Sequence, residues 1–370
     1  MEANKEVLEI IGQFAIEGKL LGIKSNTEGH INSTFISTFQ EGTSLRKYTH
    51  QLVNGVVFPH PEQVMENIQA ITGHIQLKLR QQGADQIDKR CLQLIPTKTG
   101  NFFTKDSEGR LWRTYRYIDG VKTFSVLSDA MDAYLLGGAI GTFALQLSDF
   151  DGRKLHVTIP DFHDMHVRYE QLDAAIERDN AKRLASVLDE IGFLRENRSR
   201  GMLLIDELKN GKLPLRVTHN DTKMNNVLFS EQNGEALCVI DLDTVMSGTC
   251  LFDTGDMIRT GTCTAKEDET NLSKVHFNLS LFQSLVQGYY EKAKTFLTPA
   301  ETNLIAESGR NITQIMAVRF LTDYLNGDIY YHIDRPSHNL DRTRTQIALI
   351  KDMDRQWEDV QKSLHRIVSP

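Results

Sequence analysis

LRVTHNDTKMNNVLFSEQNGEALCVIDLDTVMSG, residues 215–248, is the stretch on which the reading of the chain turns. Within it, RVTHND and ALCVIDLD read as short strands or strand ends. Around their apolar positions stand His219, Asp221, Lys223, Asn226, Asp241 and Asp243. A strand that only fills a core has no use for such side chains, because burying polar groups without partners is costly. The plainer alternative is that Asp221 and Asn226 cap turns and Asp241 ends a strand. That alternative accounts for each residue singly and leaves their joint spacing unexplained.

His219, Asp221, Lys223 and Asn226 fit H-x-D-x-K-x-x-N, which parallels the H-R-D-x-x-x-x-N of protein-kinase catalytic loops. Asp241 follows Asn226 by 15 residues, at the end of the apolar run CVID, where a kinase carries its second metal-binding aspartate. These residue types suit phosphoryl transfer. Mg2+, a hard cation, neutralises the phosphates of ATP through oxygen ligands, and Asn226 and Asp241 offer an amide oxygen and a carboxylate. Asp221 is the candidate base that orients an incoming hydroxyl and takes its proton. Lys223 would set positive charge beside the migrating phosphoryl group, and His219 would fix the loop. The first motif alone is weak; the second aspartate and a β-rich region upstream make the combination specific. No G-x-x-x-x-G-K-[ST] occurs, so a P-loop ATPase is not supported.

The wider composition narrows the class further. The 370 residues are 40% hydrophobic and 25% charged, ordinary for a globular chain long enough for two lobes. A formal net charge of −7 with no Lys/Arg-rich block argues against nucleic acid as partner. The four cysteines form no C-x-x-C pair, so neither a zinc site nor a disulfide framework is expected. The N-terminus lacks the apolar core of a signal peptide, and AYLLGGAIGTFALQL (133–147) is too short and glycine-rich for a membrane span. The cytoplasm is the expected location, with no membrane and no obligate protein partner called for.

Residues 1–118 read as a mixed β and α nucleotide-binding lobe, and 119–370 as a larger, mainly helical catalytic and substrate lobe. FISTF, KYTHQLV, CLQLIP and LWRTYRYI suggest strands. Val64, Met65, Ile68, Ile71, Ile75 and Leu79 recur at helical spacing behind Pro61, which suits a first turn. The N-terminal run Val7, Leu8, Ile11, Phe14, Ala15 predicts a helix stopping near Gly18. Ser128 is a candidate cap for the helix over 133–147, whose Gly137, Gly138 and Gly141 would let another element pack close. Two further helical faces run through Leu279–Tyr289 and Ile347–Leu364.

With these blocks in view, the chain resembles the aminoglycoside phosphotransferase/choline kinase superfamily and, more closely, the N-acetylhexosamine 1-kinases. GHINSTF (29–35), LRVTHNDTKMNN (215–226), VIDLDT (239–244), LFDTGDMIRTG (251–261), LSKVHF (272–277), RFLTDYLNGDIYY (319–331) and HNLDRTRTQI (338–347) carry the resemblance over nearly the whole chain. It implies an α+β, protein-kinase-like, two-lobed fold. It implies transfer of the γ-phosphate of ATP, with Mg2+, to the anomeric hydroxyl of GlcNAc or GalNAc. Carried across, Asp221 is the base, Asn226 and Asp241 hold magnesium, and Lys223 lies beside the phosphoryl path. Gly29 and Asn32 belong to the loop over the nucleotide, Tyr115 and Tyr117 lead into the adenine hinge, and His30 and Arg319 are candidate sugar contacts; beside the resemblance, Asp256 and Tyr324, from the polar and aromatic residues around Arg319, are further candidates to join Asp221 at the sugar.

Two departures from kinase patterns stand out. The third-strand lysine of kinases is replaced by Gln51 or a neighbour, which leaves open the group that holds the α- and β-phosphates. D-F-G is replaced by Asp241-Leu242-Asp243, with Asp243 either a further magnesium ligand or an acceptor behind the first one. Asp253 is expected to brace the catalytic loop by accepting backbone hydrogen bonds. Asp256 would do the same or reach the sugar, with Arg259 as its structural ion pair. His50, His60, His74, His163 and His166 show no metal-ligand pattern and no expected catalytic part. The rival readings are a kinase of choline, homoserine, methylthioribose or an aminoglycoside, and a non-catalytic nucleotide-binding scaffold.

Overall fold

The computed structural model describes residues 2–26 and 31–369. Gly29 and His30 therefore lie outside the described residues. Five strands, β1 (Lys19–Asn26), β2 (Ser33–Glu41), β3 (Ser44–Leu52), β4 (Thr104–Lys105) and β5 (Leu111–Arg116), form an antiparallel sheet in the order β1-β2-β3-β5-β4. Helix α1 (Glu2–Ile11) covers one face, packing Val7, Ile10 and Ile11 with Phe14, Phe39, Tyr48 and Trp112. It ends at Ile11, earlier than the periodicity predicts, because Phe14 leaves the helix to bridge Thr97. Gly18 does a different job. Its φ is +93°, and a Cβ there would stand 2.3 Å from the Gln40 carbonyl oxygen, so only glycine lets the chain enter β1 alongside β2. CLQLIP forms no strand of its own. It follows β5 through one bridge, Leu94 to Tyr115, and the bonds Ile95 N–H to Thr114 O and Arg116 N–H to Gln93 O.

Helix α2 (Pro61–Gln81) starts on Pro61 and buries Val64, Met65, Ile68, Ile71, Ile75 and Leu79, the predicted face. Its core includes Val217, Leu242 and Val245 from the far side of the cleft. Asn67 ties it down: Nδ2 donates to the His156 and Val245 carbonyls at 2.8 and 2.9 Å, and Oδ1 accepts from His156 N–H. The short α3 (Ile87–Arg90) follows.

The rest is mainly helical: α4 (Ala130–Gln146), α5 (Met165–Arg178), α6 (Leu188–Glu196), α7 (Arg198–Gly201), α8 (Leu203–Lys209), α9 (Cys250–Thr262), α10 (Leu279–Ala293), α11 (Pro299–Asn326), α12 (His338–Arg355) and α13 (Trp357–Val368). Asp129, rather than Ser128, caps α4 by accepting from the Met131 and Asp132 N–H groups. Helices α4 and α10 meet backbone to backbone. A Cβ on Gly137 would lie 1.9 Å from the Leu285 oxygen, and one on Gly288 2.0 Å from the Tyr134 oxygen. Helix α11, started by a Thr298–Glu301 capping box, is buried along most of its 28 residues and forms the axis of this lobe. The C-terminal face splits at Gln356 into α12 and α13. A small antiparallel lobe followed by a larger helical one is the expected α+β, two-lobed architecture. No helix among the described residues is long and apolar enough to cross a membrane.

Candidate active site

Two small antiparallel sheets build the site. Strand β6 (Val121–Lys122) pairs with β8 (Val227–Ser230), which pairs with β9 (Ala236–Val239); β7 (Arg216–Thr218) pairs with β10 (Met246–Gly248). Register Met246↔Thr218 and Val227↔Val239 sets the His219–Asn226 loop beside the Ile240–Val245 turn. Two residues in these bends, Asn220 (φ +67°) and Asp241 (φ +62°), adopt the left-handed conformation. Asn and Asp tolerate it better than most residues, and it persists where surroundings hold it.

What holds it is a set of buried hydrogen bonds. Asp253, in the first turn of α9 and 2% exposed, accepts the His219 N–H at 2.9 Å and the Asn220 N–H at 2.7 Å. Thr222 Oγ1 donates to the Asp253 carbonyl, Thr244 Oγ1 to the His219 carbonyl, and Asn220 Nδ2 to the Thr244 carbonyl. The Asp221 N–H donates to His219 Nδ1 at 3.2 Å. His219 Nδ1 is therefore unprotonated, and Nε2–H donates to the Ile240 carbonyl at 2.8 Å. His219 thus joins the two loops through both of its ring nitrogens.

Asp221 presents its carboxylate at the surface these loops create. Oδ2 is 2.9 Å from Lys223 Nζ and accepts from Asn226 Nδ2 at 3.1 Å, while Asn226 Nδ2 also donates to the Asp221 carbonyl at 2.8 Å. Burial works against ionisation of Asp221, but the Lys223 ammonium, with weaker help from Arg259, outweighs it and holds the carboxyl below its usual range. Asp241 goes the other way. Burial and the neighbouring charge of Asp243 push it up to about 6 against the opposing pull of Lys223. With its amide nitrogen turned to Asp221, Asn226 keeps its oxygen for another partner. One under-neutralised carboxylate and one amide oxygen suit a magnesium ion, which takes few protein ligands and completes its octahedron with water and phosphate. Among the described residues no cluster of three or more His, Cys, Asp or Glu side chains forms a ready cation cage.

The wall beyond Asp221 combines an arginine with unpartnered polar atoms. Arg319 of α11 stacks over the rings of Phe162, Tyr331 and Tyr330 at 4.7, 5.5 and 5.7 Å. It has no carboxylate partner among the described residues; Nη1 reaches only Met316 Sδ at 3.8 Å. Asp256 gives Oδ1 to Arg259 at 2.8–2.9 Å, and Arg259 pairs onward with Glu267. The second oxygen of Asp256, His163 Nδ1 and the Tyr331 hydroxyl are buried without a hydrogen-bond partner. Burial raises Asp256 above the usual carboxylate range against the pull of Arg259, and Asp221 adds to the rise. His163 lies between Phe162 and Phe252 and donates Nε2–H to the Asn220 carbonyl; burial, then Arg319, drives it down to about 3, so it is neutral.

The predicted site residues fall into three groups. Asp221, Lys223, Asn226 and Asp241 come together, with Asp256 and Arg319 around them. Asn32 sits across the cleft, its Nδ2 donating to Asp243 at 2.7 Å. The tyrosines form the third group. Tyr115 is buried beneath Arg113, and Tyr117 follows β5 with Lys47 over its ring. Tyr324 is a core side chain under Arg183, apart from the aromatic group around Arg319. Arg342 and Arg344 bond Asn339 and Glu190. The sequence pattern set His163 aside and singled out neither Arg113 nor Asp323. Asp323 accepts the N–H groups of Ile329, Tyr330 and Tyr331 at 2.8–3.0 Å and so fixes the loop that carries two of Arg319's rings. Its place in the block 319–331 was the available signal; the other two had none.

Solved structures with the same fold include the microcompartment-associated aminopropanol kinase, at 12% identity and a TM-score of 0.62, covering 98% of this chain and 100% of that one. Others are choline kinase from Cryptosporidium parvum Iowa II (13%, TM-score 0.56, coverage 93% and 92%) and aminoglycoside phosphotransferase from Alicyclobacillus acidocaldarius subsp. acidocaldarius DSM 446 (13%, TM-score 0.56, coverage 97% and 94%). At such identities the likeness is one of fold. The sequence profile of the phosphotransferase enzyme family matches residues 80–289, more than half of the chain and the whole of the paired-aspartate region, and the chain belongs to that family.

Proposed function

We propose that the protein is an ATP-dependent small-molecule kinase that phosphorylates the anomeric hydroxyl of an N-acetylhexosamine, GlcNAc or GalNAc, giving the sugar 1-phosphate and ADP. In this reading residues 1–118 hold the nucleotide, and 119–370 carry the catalytic loop and the acceptor. Asp221, set between Lys223 and Asn226 and beside Asp241, is the observation that carries the kinase part. The acceptor hydroxyl oxygen bonds to the γ-phosphorus, the bond from that phosphorus to the β,γ-bridging oxygen breaks, and ADP leaves with the electron pair. The hydroxyl proton passes to Asp221. A carboxylate held this acidic is a weak base, so it orients the hydroxyl first and takes the proton late, as loose phosphoryl-transfer transition states allow. The anomeric hydroxyl, more acidic than other sugar hydroxyls, suits such a base. Lys223 and the positioning of the groups carry the remaining acceleration. A magnesium ion held by Asn226 and Asp241 would neutralise phosphate charge.

The acceptor wall supports a neutral, hydrogen-bonding molecule. An arginine already occupies the faces of Phe162, Tyr330 and Tyr331, where a quaternary ammonium would otherwise sit. Asp256 Oδ2 and His163 Nδ1 are acceptors for sugar hydroxyl or amide groups, and Arg319 and Tyr331 are donors. One observation favours a second reading, an amino alcohol or aminoglycoside: the unpartnered oxygen of Asp256 could meet an ammonium. Coupled ADP release over GlcNAc, GalNAc, glucose, choline and kanamycin separates the two. Turnover confined to the N-acetylated sugars, with an acid-labile phosphate in the product, is expected; turnover confined to choline or kanamycin overturns the sugar assignment. ADP release with none of the five overturns it as well.

A further inference from the structure

Protein kinases reach the nucleotide phosphates with a lysine on the third strand; here β3 offers Gln51. Directly opposite Gln51 across the ladder stands Arg113 of β5, and directly opposed residues project from the same face of a sheet. Gln51 Oε1 accepts from Arg113 Nε at 3.0 Å and from Nη2 at 2.8 Å. Arg113 Nη1 donates to Asp243 Oδ1. The second oxygen of Asp243 accepts from Asn32 Nδ2 at 2.7 Å, and Asn32 Oδ1 accepts from the Asn54 N–H. The guanidinium therefore lies where β2, β3 and the Asp241 turn converge, with exposures of 2% for its side chain and 3% for that of Asp243. A guanidinium has five N–H donors. Three are used by Gln51 and Asp243, and the others have no partner among the described residues.

Stability alone gives little reason for a full charge here, since a buried ion pair is often no better than apolar side chains of the same volume. The cleft also holds Asp221, Asp241 and Asp243 against Lys223 and Arg113, so a polyanion entering it needs a cation near the sheet. We infer that Arg113 supplies from β5 the phosphate-facing cation that protein kinases place on β3, with Gln51 as its brace and Asp243 as its counter-ion. The inference rests on the nucleotide-dependent reading above. In it, Asp243 is not a metal ligand, and Asn32 ties the segment before β2 to the same counter-ion.

Calorimetric titration of ADP and of adenosine, with Mg2+ present, tests it on nucleotide binding without turnover. Arg113→Met is expected to weaken ADP binding by about 10- to 100-fold, the range for loss of charge-assisted hydrogen bonds, and to leave adenosine within about twofold of wild type, since adenosine has no phosphate for the arginine to meet. Adding Gln51→Lys to that variant returns a cation to the same cross-strand pair and should restore most of the ADP affinity. Asp243→Asn keeps the shape and carries the test if Arg113→Met does not fold. It should tighten ADP binding, because the counter-ion competes with phosphate. Equal losses of ADP and adenosine in Arg113→Met, unchanged ADP binding there, or a tenfold magnesium-dependent loss in Asp243→Asn would each overturn the inference. Wild-type protein that binds neither ADP nor ATP would overturn the kinase reading with it.

Discussion

Asp253→Asn removes one acceptor from under the catalytic loop while keeping volume and shape. In the native protein the two oxygens of Asp253 each take one backbone N–H, from His219 and Asn220, in a site closed to water. Asparagine keeps one oxygen and turns an NH2 toward the other N–H. Leaving a buried donor unsatisfied costs about 1–3 kcal/mol, and the facing NH2 puts the expectation at the upper end, about 2–3 kcal/mol. With an unfolding entropy of about 2 cal/mol/K per residue, a chain of 370 residues should lose about 3–4 °C of Tm. The same loss loosens the backbone that aims Asp221, and misplacing a reacting group by about 1 Å costs about 10²-fold in rate. Scanning calorimetry gives the first number and coupled ADP release the second. A variant with wild-type Tm and wild-type kcat refutes the bracing role. A variant with lowered Tm and full kcat confines that role to stability and refutes the link to Asp221.

Asp221→Asn should lower kcat by about 10²-fold or more, the range for loss of a general base, with nucleotide affinity intact; near-native turnover would refute its role. Arg319→Met should raise the KM for the acceptor at least about tenfold and leave the KM for ATP unchanged, as loss of a hydrogen-bonding cation implies; a change in the ATP term alone would move Arg319 out of the acceptor site. For Asp241 the sign is set by its raised position at about 6 against the ordinary 3.8 of an aspartate. The folded, metal-free protein holds that proton more tightly than the unfolded chain, so Asp241's contribution to stability is present below about pH 4 and lost as pH rises through about 6. Asp241→Asn should therefore raise the Tm of metal-free protein at pH 8, with the gain vanishing toward pH 4, while abolishing magnesium-dependent nucleotide binding. A constant Tm difference across that range contradicts the assigned shift.

Local patterns were legible where one element determines its own partners. Helix α2 shows its core face and its proline start in plain periodicity, and the loop residues at 219–226 announce themselves because no core needs them. The failures share a cause: contacts between distant segments. Helix α1 is cut short by a bridge to Thr97, and CLQLIP is held extended by β5. Arg113 inside LWRTYR reads as an outward-facing strand residue until β3 and Asp243 close around it. His163 stood alone in PDFHDMH, and only packing against Phe252 and the Asn220 carbonyl gives it a place. Tyr324, five residues after Arg319, shares a helical face with Phe320 and is turned toward Arg183.

The anchoring of α2 by Asn67 reaches beyond this one contact. Protein kinases regulate themselves by swinging the corresponding helix in and out. Here that helix is stapled to the backbone of His156 and Val245 and shares a core with Leu242. Displacing α2 would break these bonds and open that shared core, so a swing of this helix costs more here than a swing of an untethered one.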